Sequence, residues 1–271
     1  MLQALLMSMP ALSGIDLTPH GNDSIASFEK EPFWFDEFDC SGAPDTLKWG
    51  FDIGGHGWGN HELQYYTDDI RNARVNDGKL IITAIRENIN NNHYTSARLV
   101  TKNKGDLLYG RVEVKARIPS GRGTWPAIWM LPTDWEYGGW PASGEIDIME
   151  HVGYNQDHIH ISTHCEAYYW ILGNQKTAIR KIQGVSNEFH VYRIDWTPYF
   201  IKGYIDGELV FTNQNEGSGY KAWPFDKRFH LIVNIAVGGD WGGKEGIDES
   251  MFPASMEIDY VRFYRYKPEV K

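Results

Sequence analysis

Arg111-Val-Glu-Val-Lys-Ala-Arg-Ile118 carries its polar residues at odd positions and its apolar residues at even ones. Side chains change face at every step of an extended strand, so this octapeptide predicts a strand with one dry and one wet face. Working outward, His230-Leu-Ile-Val-Asn-Ile-Ala-Val237 and Met256-Glu-Ile-Asp-Tyr-Val-Arg-Phe-Tyr264 read the same way. Asn76-Asp-Gly78, Pro119-Ser-Gly121 and Asp206-Gly207 supply turn chemistry between such runs. No long segment has helical periodicity, and the chain contains neither a repeat nor a low-complexity tract. Many short strands joined by tight turns predict an all-β antiparallel sandwich or barrel, a single domain over residues 32–271.

Composition narrows the function. With 271 residues and 42% hydrophobic content, the chain can bury a sizeable core. A net charge of −10 offers no basic footprint for a phosphate backbone, so nucleic acid is set aside as a partner. A neutral substrate suits this acidic surface better than a polyanion. Aromatic residues make up 14% of the chain, with 11 Trp and 15 Tyr, which means either a large aromatic core or rings lining a sugar cleft. Cys40 and Cys165 are too few for a disulfide framework or a zinc site, and their pairing stays open. Met1 to Gly14 is an apolar run too short to span a bilayer and without a basic n-region. It reads as a clipped or atypical export segment, the first part of a 1–31 leader, so a secreted monomer with no membrane anchor is expected.

The chemistry concentrates in Gly144-Glu-Ile-Asp-Ile-Met-Glu150. Glu145 and Asp147 share a strand face, with Ile146 and Ile148 on the other. Strict alternation would push Glu150 into the core, where an unpaired carboxylate is costly. A β-bulge around Ile148 and Met149 absorbs one residue and returns Glu150 to the first face. Crowded acids destabilise a sheet, but mutual repulsion keeps one carboxyl protonated beside an ionised partner, as acid–base catalysis needs. The two glutamate backbones would stand ~13 Å apart at ~3.3 Å per residue. Inward-leaning side chains could close that gap to the ~5–5.5 Å of a retaining glycosidase. A solvated acidic strand is the plainer alternative. Trp125 and Trp129, at one parity in Trp125-Pro-Ala-Ile-Trp129, and Trp140 just before the acidic strand argue for a cleft instead.

Gly139-Trp-Pro-Ala-Ser-Gly-Glu-Ile-Asp-Ile-Met-Glu-His-Val-Gly153 resembles the signature of family 16 glycoside hydrolases, especially the laminarinase-like endo-β-1,3-glucanases. The likeness runs from about Phe33 to Tyr266. It takes in Gly57-Trp-Gly-Asn-His-Glu-Leu-Gln-Tyr-Tyr66, Tyr94-Thr-Ser-Ala-Arg98, Gly110-Arg-Val-Glu113, Trp125-Pro-Ala-Ile-Trp-Met-Leu131 and Ala236-Val-Gly-Gly239, in the family's order. The resemblance implies an antiparallel β-jelly-roll sandwich with an open substrate cleft on its concave sheet. It implies Glu145 as nucleophile, Glu150 as acid/base and Asp147 as the helper that tunes Glu145. It also implies substrate contacts from Asn60, Arg98, Trp125, Trp129, Trp140 and His164. No cofactor is implied for catalysis. One structural calcium is, held by the Asp259 side chain with main-chain oxygens near Glu37 and Gly78.

His158, His160 and His164 alternate at a spacing that could suit a metal, but strand histidines in a polar cleft are the plainer reading. The expected activity is endo-hydrolysis of β-1,3-glucan, with mixed 1,3-1,4 glucan as a further substrate. Two alternatives stand beside it. An agarase- or carrageenase-like activity of the same family would favour a more basic cleft than this chain offers. A non-catalytic glucan-binding lectin would be expected to lack one or both glutamates, and both are present.

Overall fold

The computed structural model describes residues 26–268, so the expected export segment, residues 1–14, lies outside the described residues. The first half of the chain forms β1 (Ser27–Phe28), β2 (Trp34–Asp36), β3 (Gly50–Phe51), β4 (Gln64–Tyr66), β5 (Ala73–Asn76), β6 (Lys79–Ile89), β7 (Asn92–Ser96), β8 (Arg98–Val100) and β9 (Gly110–Arg117). The second half forms β10 (Thr124–Pro132), β11 (Glu145–Glu150), β12 (His158–His164), β13 (Lys176–Lys181), β14 (His190–Trp196), β15 (Phe200–Ile205), β16 (Glu208–Gln214), β17 (Phe229–Val237) and β18 (Ala254–Lys267). Among the described residues helix is confined to single turns at Trp170–Leu172, Gly239–Gly242 and Glu249–Met251.

The strands make two sheets packed as a jelly-roll sandwich. One runs β16-β15-β14-β9-β18-β6-β7-β4, with β1, β2 and β5 on its margins; the other runs β13-β12-β11-β10-β17-β8-β3. The pairing is antiparallel apart from β4 and β7, which run parallel. The Arg111–Ile118 reading holds: β9 alternates buried and half-buried along its length. Its Val112, Val114 and Ala116 meet Ile146, Ile148 and Met149 of β11 and Leu231, Val233 and Ile235 of β17 in one core. Two of the predicted turns are two-residue hairpin loops with positive φ at both positions, Asp77-Gly78 and Asp206-Gly207.

The tryptophans divide between core and surface. Trp49, Trp196 and Trp223 are buried in the core, whereas Trp58, Trp125, Trp129 and Trp241 are half-buried and Trp140 and Trp170 exposed. The cysteines are both free, Cys40 exposed and Cys165 buried. Among the described residues no helix is long and apolar enough to cross a membrane.

Candidate active site

β11 contains the bulge that the acidic sequence requires. Against β10, Met149 faces Ile128 and Asp147 faces Trp129, leaving Ile148 as the extra residue. Against β12, the register slips between Asp147 and Glu150. Ile148 and Met149 both enter the core, and Glu150 returns to the face of Glu145 and Asp147. Gly144 starts the strand at φ 89°, where a Cβ would come within 2.9 Å of Pro224 and 3.0 Å of Phe225. Glycine is therefore the residue that fits directly before Glu145.

Each glutamate is held by an indole and faces a histidine. Trp140 Nε1 donates to Glu145 Oε2 at 2.8 Å, and Trp125 Nε1 donates to Glu150 Oε1 at 3.2 Å. Across the ladder, Glu145 lies opposite His164 and Glu150 opposite His160. His164 Nε2 sits 3.3 Å from Asp147 Oδ2 and 4.0 Å from Glu145 Oε1. The 3.3 Å approach is off the hydrogen-bonding line, so Asp147 Oδ2 is buried without a hydrogen-bond partner.

Burial raises all three carboxyls. Glu145 is pushed up to about 8, first by desolvation and then by the charge of Asp147. Glu150 is pushed up to about 7 by desolvation and then by Glu145, while Asp147 lies well above its usual range for the same first reason and then because of Glu150. Three carboxylates in one desolvated strip cannot all be ionised near neutrality. Asp147, only 1% exposed, is the most costly to charge. Once Asp147 holds a proton, the second cause of Glu145's rise disappears, which brings Glu145 toward ionisation. His160 goes the other way, burial lowering it to about 4, so it is neutral beside Glu150.

Of the expected substrate contacts, Trp140 and His164 lie beside the acids on the β11 and β12 side, whereas Asn60, Arg98 and Trp129 are joined in a network on the other side of β11. Trp129 Nε1 donates to Asn234 Oδ1 at 2.7 Å, and Asn234 Nδ2 donates to Tyr66 Oη at 2.9 Å. Glu62, overlooked in the sequence, joins this network. Its carboxylate accepts from Gln64 at 2.6 Å, Asn60 at 3.2 Å and Tyr66 at 3.4 Å. The Arg98 guanidinium lies 4.7 Å from the Trp58 ring and 4.8 Å from that of Trp129, so it is sandwiched between two indoles. Trp241 packs edge-on to Trp125 at 5.3 Å and to His160 at 4.8 Å. Trp58 and Glu62 come from a loop and Trp241 from the Gly239–Gly242 turn, none of them with strand periodicity. The only sequence signal for them was their place in the quoted motif blocks or next to them.

The histidine run does not converge as a metal site. His158 Nδ1 bonds the Gln156 carbonyl and His160 packs on Trp241, so of the three only His164 brings a ring nitrogen within 4.0 Å of a carboxylate. Donor atoms of Glu145, Asp147 and His164 do lie within 4.8 Å of one another, but they are the same groups that hydrolysis would use. The expected calcium ligands lie on the other sheet. The ladder from β6 ends at Leu80 opposite Ile258, and that from β2 begins at Asp36 opposite Val261, on the same margin of β18. Asp259 sits between them as the extra residue of a bulge. Its carboxylate is 2.8 Å from Lys115 Nζ. The Glu37 side chain is held by two bonds from Arg262.

Residues 60–262 match the family model described as Glycosyl hydrolases family 16. The chain is similar to a Beta-glucanase from Rhodothermus marinus, 53% identical over 244 residues that cover 87% of this chain and 85% of that protein. It is also similar to a Glucan endo-1,3-beta-glucosidase from Cryptopygus antarcticus, 39% identical over 246 residues, 84% of this chain and 90% of that one. In structure it resembles the laminarinase from Rhodothermus marinus, with a TM-score of 0.87 at 51% identity over 90% of this chain and 100% of that one.

Proposed function

We propose that this chain, which belongs to glycosyl hydrolase family 16, is an endo-acting, retaining β-glucan hydrolase that cleaves β-1,3 bonds in laminarin-like chains. The observation that carries this reading is the bulged strand, which turns Glu145, Asp147 and Glu150 to one face with an indole N–H on each glutamate. The ionised Glu145 attacks the anomeric carbon while Glu150 gives its proton to the departing glycosidic oxygen. A glycosyl ester forms on Glu145 and the C–O bond to the leaving sugar breaks. Glu150, now ionised, takes a proton from water, whose oxygen attacks the same carbon and frees Glu145. Asp147 keeps its proton and donates to Glu145, holding the nucleophile's oxygens in line and easing its ionisation. The indole wall around Trp125, Trp129 and Arg98 offers flat, uncharged faces to successive sugars, which suits a neutral polymer.

Digesting laminarin, lichenan and agarose in parallel tests the reading. Laminarin should give oligosaccharides of mixed length early, with the β-anomer first by NMR and slow mutarotation afterwards. Glucose as the sole early product, or initial α-anomer, would rule out the endo-retaining assignment, and faster attack on agarose would move the enzyme to another activity of its family.

Two further parts of the proposal concern setting and stability. A polymeric substrate has to be met outside the cell, so we place the enzyme among secreted proteins; activity confined to the lysate of a producing culture would refute this. A structural calcium would take the Asp259 carboxylate with main-chain oxygens at Glu37 and Gly78, an oxygen-only set suited to a hard cation, and would displace Lys115. Calcium should then raise Tm relative to excess EDTA, and Asp259→Asn should remove the difference. An equal Tm in both buffers would leave Asp259 to Lys115.

A further inference from the structure

Beyond Trp140 the cleft continues into a short finger, Glu166-Ala-Tyr-Tyr-Trp-Ile-Leu-Gly-Asn-Gln175. Its tip is the single 3-10 turn Trp170–Leu172, with no acidic residue in its first turn and no basic one in its last. Trp170 is 47% exposed, Ile171 61% and Leu172 56%. Three consecutive large apolar side chains at such exposure contribute nothing to the core and carry a solvation cost, so they call for an occupant.

The finger is nevertheless well ordered by its polar base. Asn174 accepts from the Tyr169 N–H at 3.1 Å and donates to the Ala167 carbonyl at 3.1 Å. Gly173 caps the turn at φ 67°, its N–H on the Trp170 carbonyl. Lys221 pairs with Glu166 at 2.6 Å, and Lys176 lies 4.3 Å from the Tyr168 ring. The charged groups are spent on the base, leaving the tip neutral and apolar. Tyr169, immediately before the tip, stands edge-on to Trp140 at 5.6 Å, and Trp140 donates to Glu145. Side-chain contacts thus run from Glu145 through Trp140 to Tyr169, and Trp170 follows Tyr169 directly in the chain.

We infer that Tyr169 and Trp170 form a distal sugar platform, a binding site for glucosyl units of the same β-glucan chain that lie beyond those over the carboxylates, on the Trp140 side. The inference rests on the proposed glucanase reading and adds a length-selecting element to it. Apolar C–H faces of glucosyl rings match an uncharged indole, and a platform several sugars from the cleavage point acts on long chains alone. Chain-length preference would then come from this finger as well as from the catalytic strip.

The test is Trp170→Ala and Trp170→Phe, measured on laminarin and on laminaritetraose with Tm alongside. Trp170→Ala should lose about five- to tenfold in kcat/KM on laminarin, chiefly through KM, and less than ~2-fold on the tetrasaccharide. Trp170→Phe should recover most of the loss, and Tm should hold, because the turn buries none of its residues. Equal losses on both substrates, or none on laminarin, would overturn the platform while leaving the hydrolase reading intact. Wild-type enzyme inactive on both would overturn that reading and the platform together. A shift of oligomeric state on Trp170→Ala with unchanged laminarin kinetics would instead give the finger to a second copy of the chain.

Discussion

Glu145→Gln should lower turnover of laminarin by at least ~10⁴-fold, the scale on which loss of a covalent nucleophile is felt, and should at the same time raise the melting temperature. The first half follows from chemistry: an amide cannot form the glycosyl ester, and its neighbours supply no substitute in line with the anomeric carbon. The second half follows from the environment of Glu145. Its carboxyl is pushed from 4.5 up to about 8 by burial and then by Asp147. Ionising this carboxyl therefore costs more in the folded state than in the unfolded chain. Stability from this group is fully present at low pH and is lost as pH rises from the unfolded pKa through the folded one. Glutamine carries no such penalty. The variant should melt roughly 3–8 °C higher than wild type at neutral pH, for ~1–3 kcal/mol of relieved strain, with the gap closing in acid. Binding of laminarin should persist. Activity well above background in protein free of wild type would remove Glu145 from the nucleophile role. A Tm gap that is flat across pH would show that charging Glu145 costs no more in the folded protein than in the unfolded chain.

What was legible in the sequence was whatever depends on neighbours along the chain. Alternation in Arg111–Ile118 and the turns at Asp77-Gly78 and Asp206-Gly207 are local properties, and the structure keeps them. The bulge at Ile148 and Met149 was also legible, because a conflict between parity and burial cost has one cheap resolution. Features set by distant chain were not. His230 to Val237 reads as half-buried, yet β17 is buried on both faces, since its second face is the cleft floor, covered by Trp129, Tyr66 and their hydrogen bonds. In Met256 to Tyr264 the apolar residues change phase after Ile258, where Asp259 bulges out; the uniform reading missed it because one residue of slip leaves both halves looking periodic. Glu62 and Trp241 gain their roles only when the 57–62 loop meets the Gly239–Gly242 turn, tied by Asp240 N–H to the Asn60 carbonyl at 2.8 Å and by Asp240 to His61 at 2.9 Å. Aromatic content pointed in two directions, and the structure divides the tryptophans accordingly: some build the core and others stand beside the acidic strand.

Trp140 brings these threads together, since one side chain there is a hydrogen-bond donor, a neighbour of the finger and, on the proposed reading, a sugar platform. It is 37% exposed, its N–H lies on Glu145 at 2.8 Å, and its ring contacts Tyr169 edge-on at 5.6 Å and His164 at 6.2 Å. On the proposed reading, Trp140→Ala removes stacking for the sugar next to the nucleophile, and with it binding energy that would hold the reacting ring near its transition-state shape. A loss of one to two orders of magnitude in kcat/KM on laminarin is expected, roughly ~1.4–2.7 kcal/mol. Tm should fall far less than the ~3–5 kcal/mol cost of deleting a core indole would require, because this ring is open to solvent on one side. Trp140→Phe separates the two contributions: the ring remains and the N–H is lost. That donor lowers the Glu145 pKa, so without it the pKa rises and the acidic limb of the kcat/KM profile should move to higher pH. Paired kinetics and melting on both variants, over a range of pH, make the measurement. A collapsed Tm with near-normal specific activity for Trp140→Ala would assign the indole to the core. An unmoved acidic limb for Trp140→Phe would mean that Glu145 is tuned by Asp147 and His164 without help from the indole N–H.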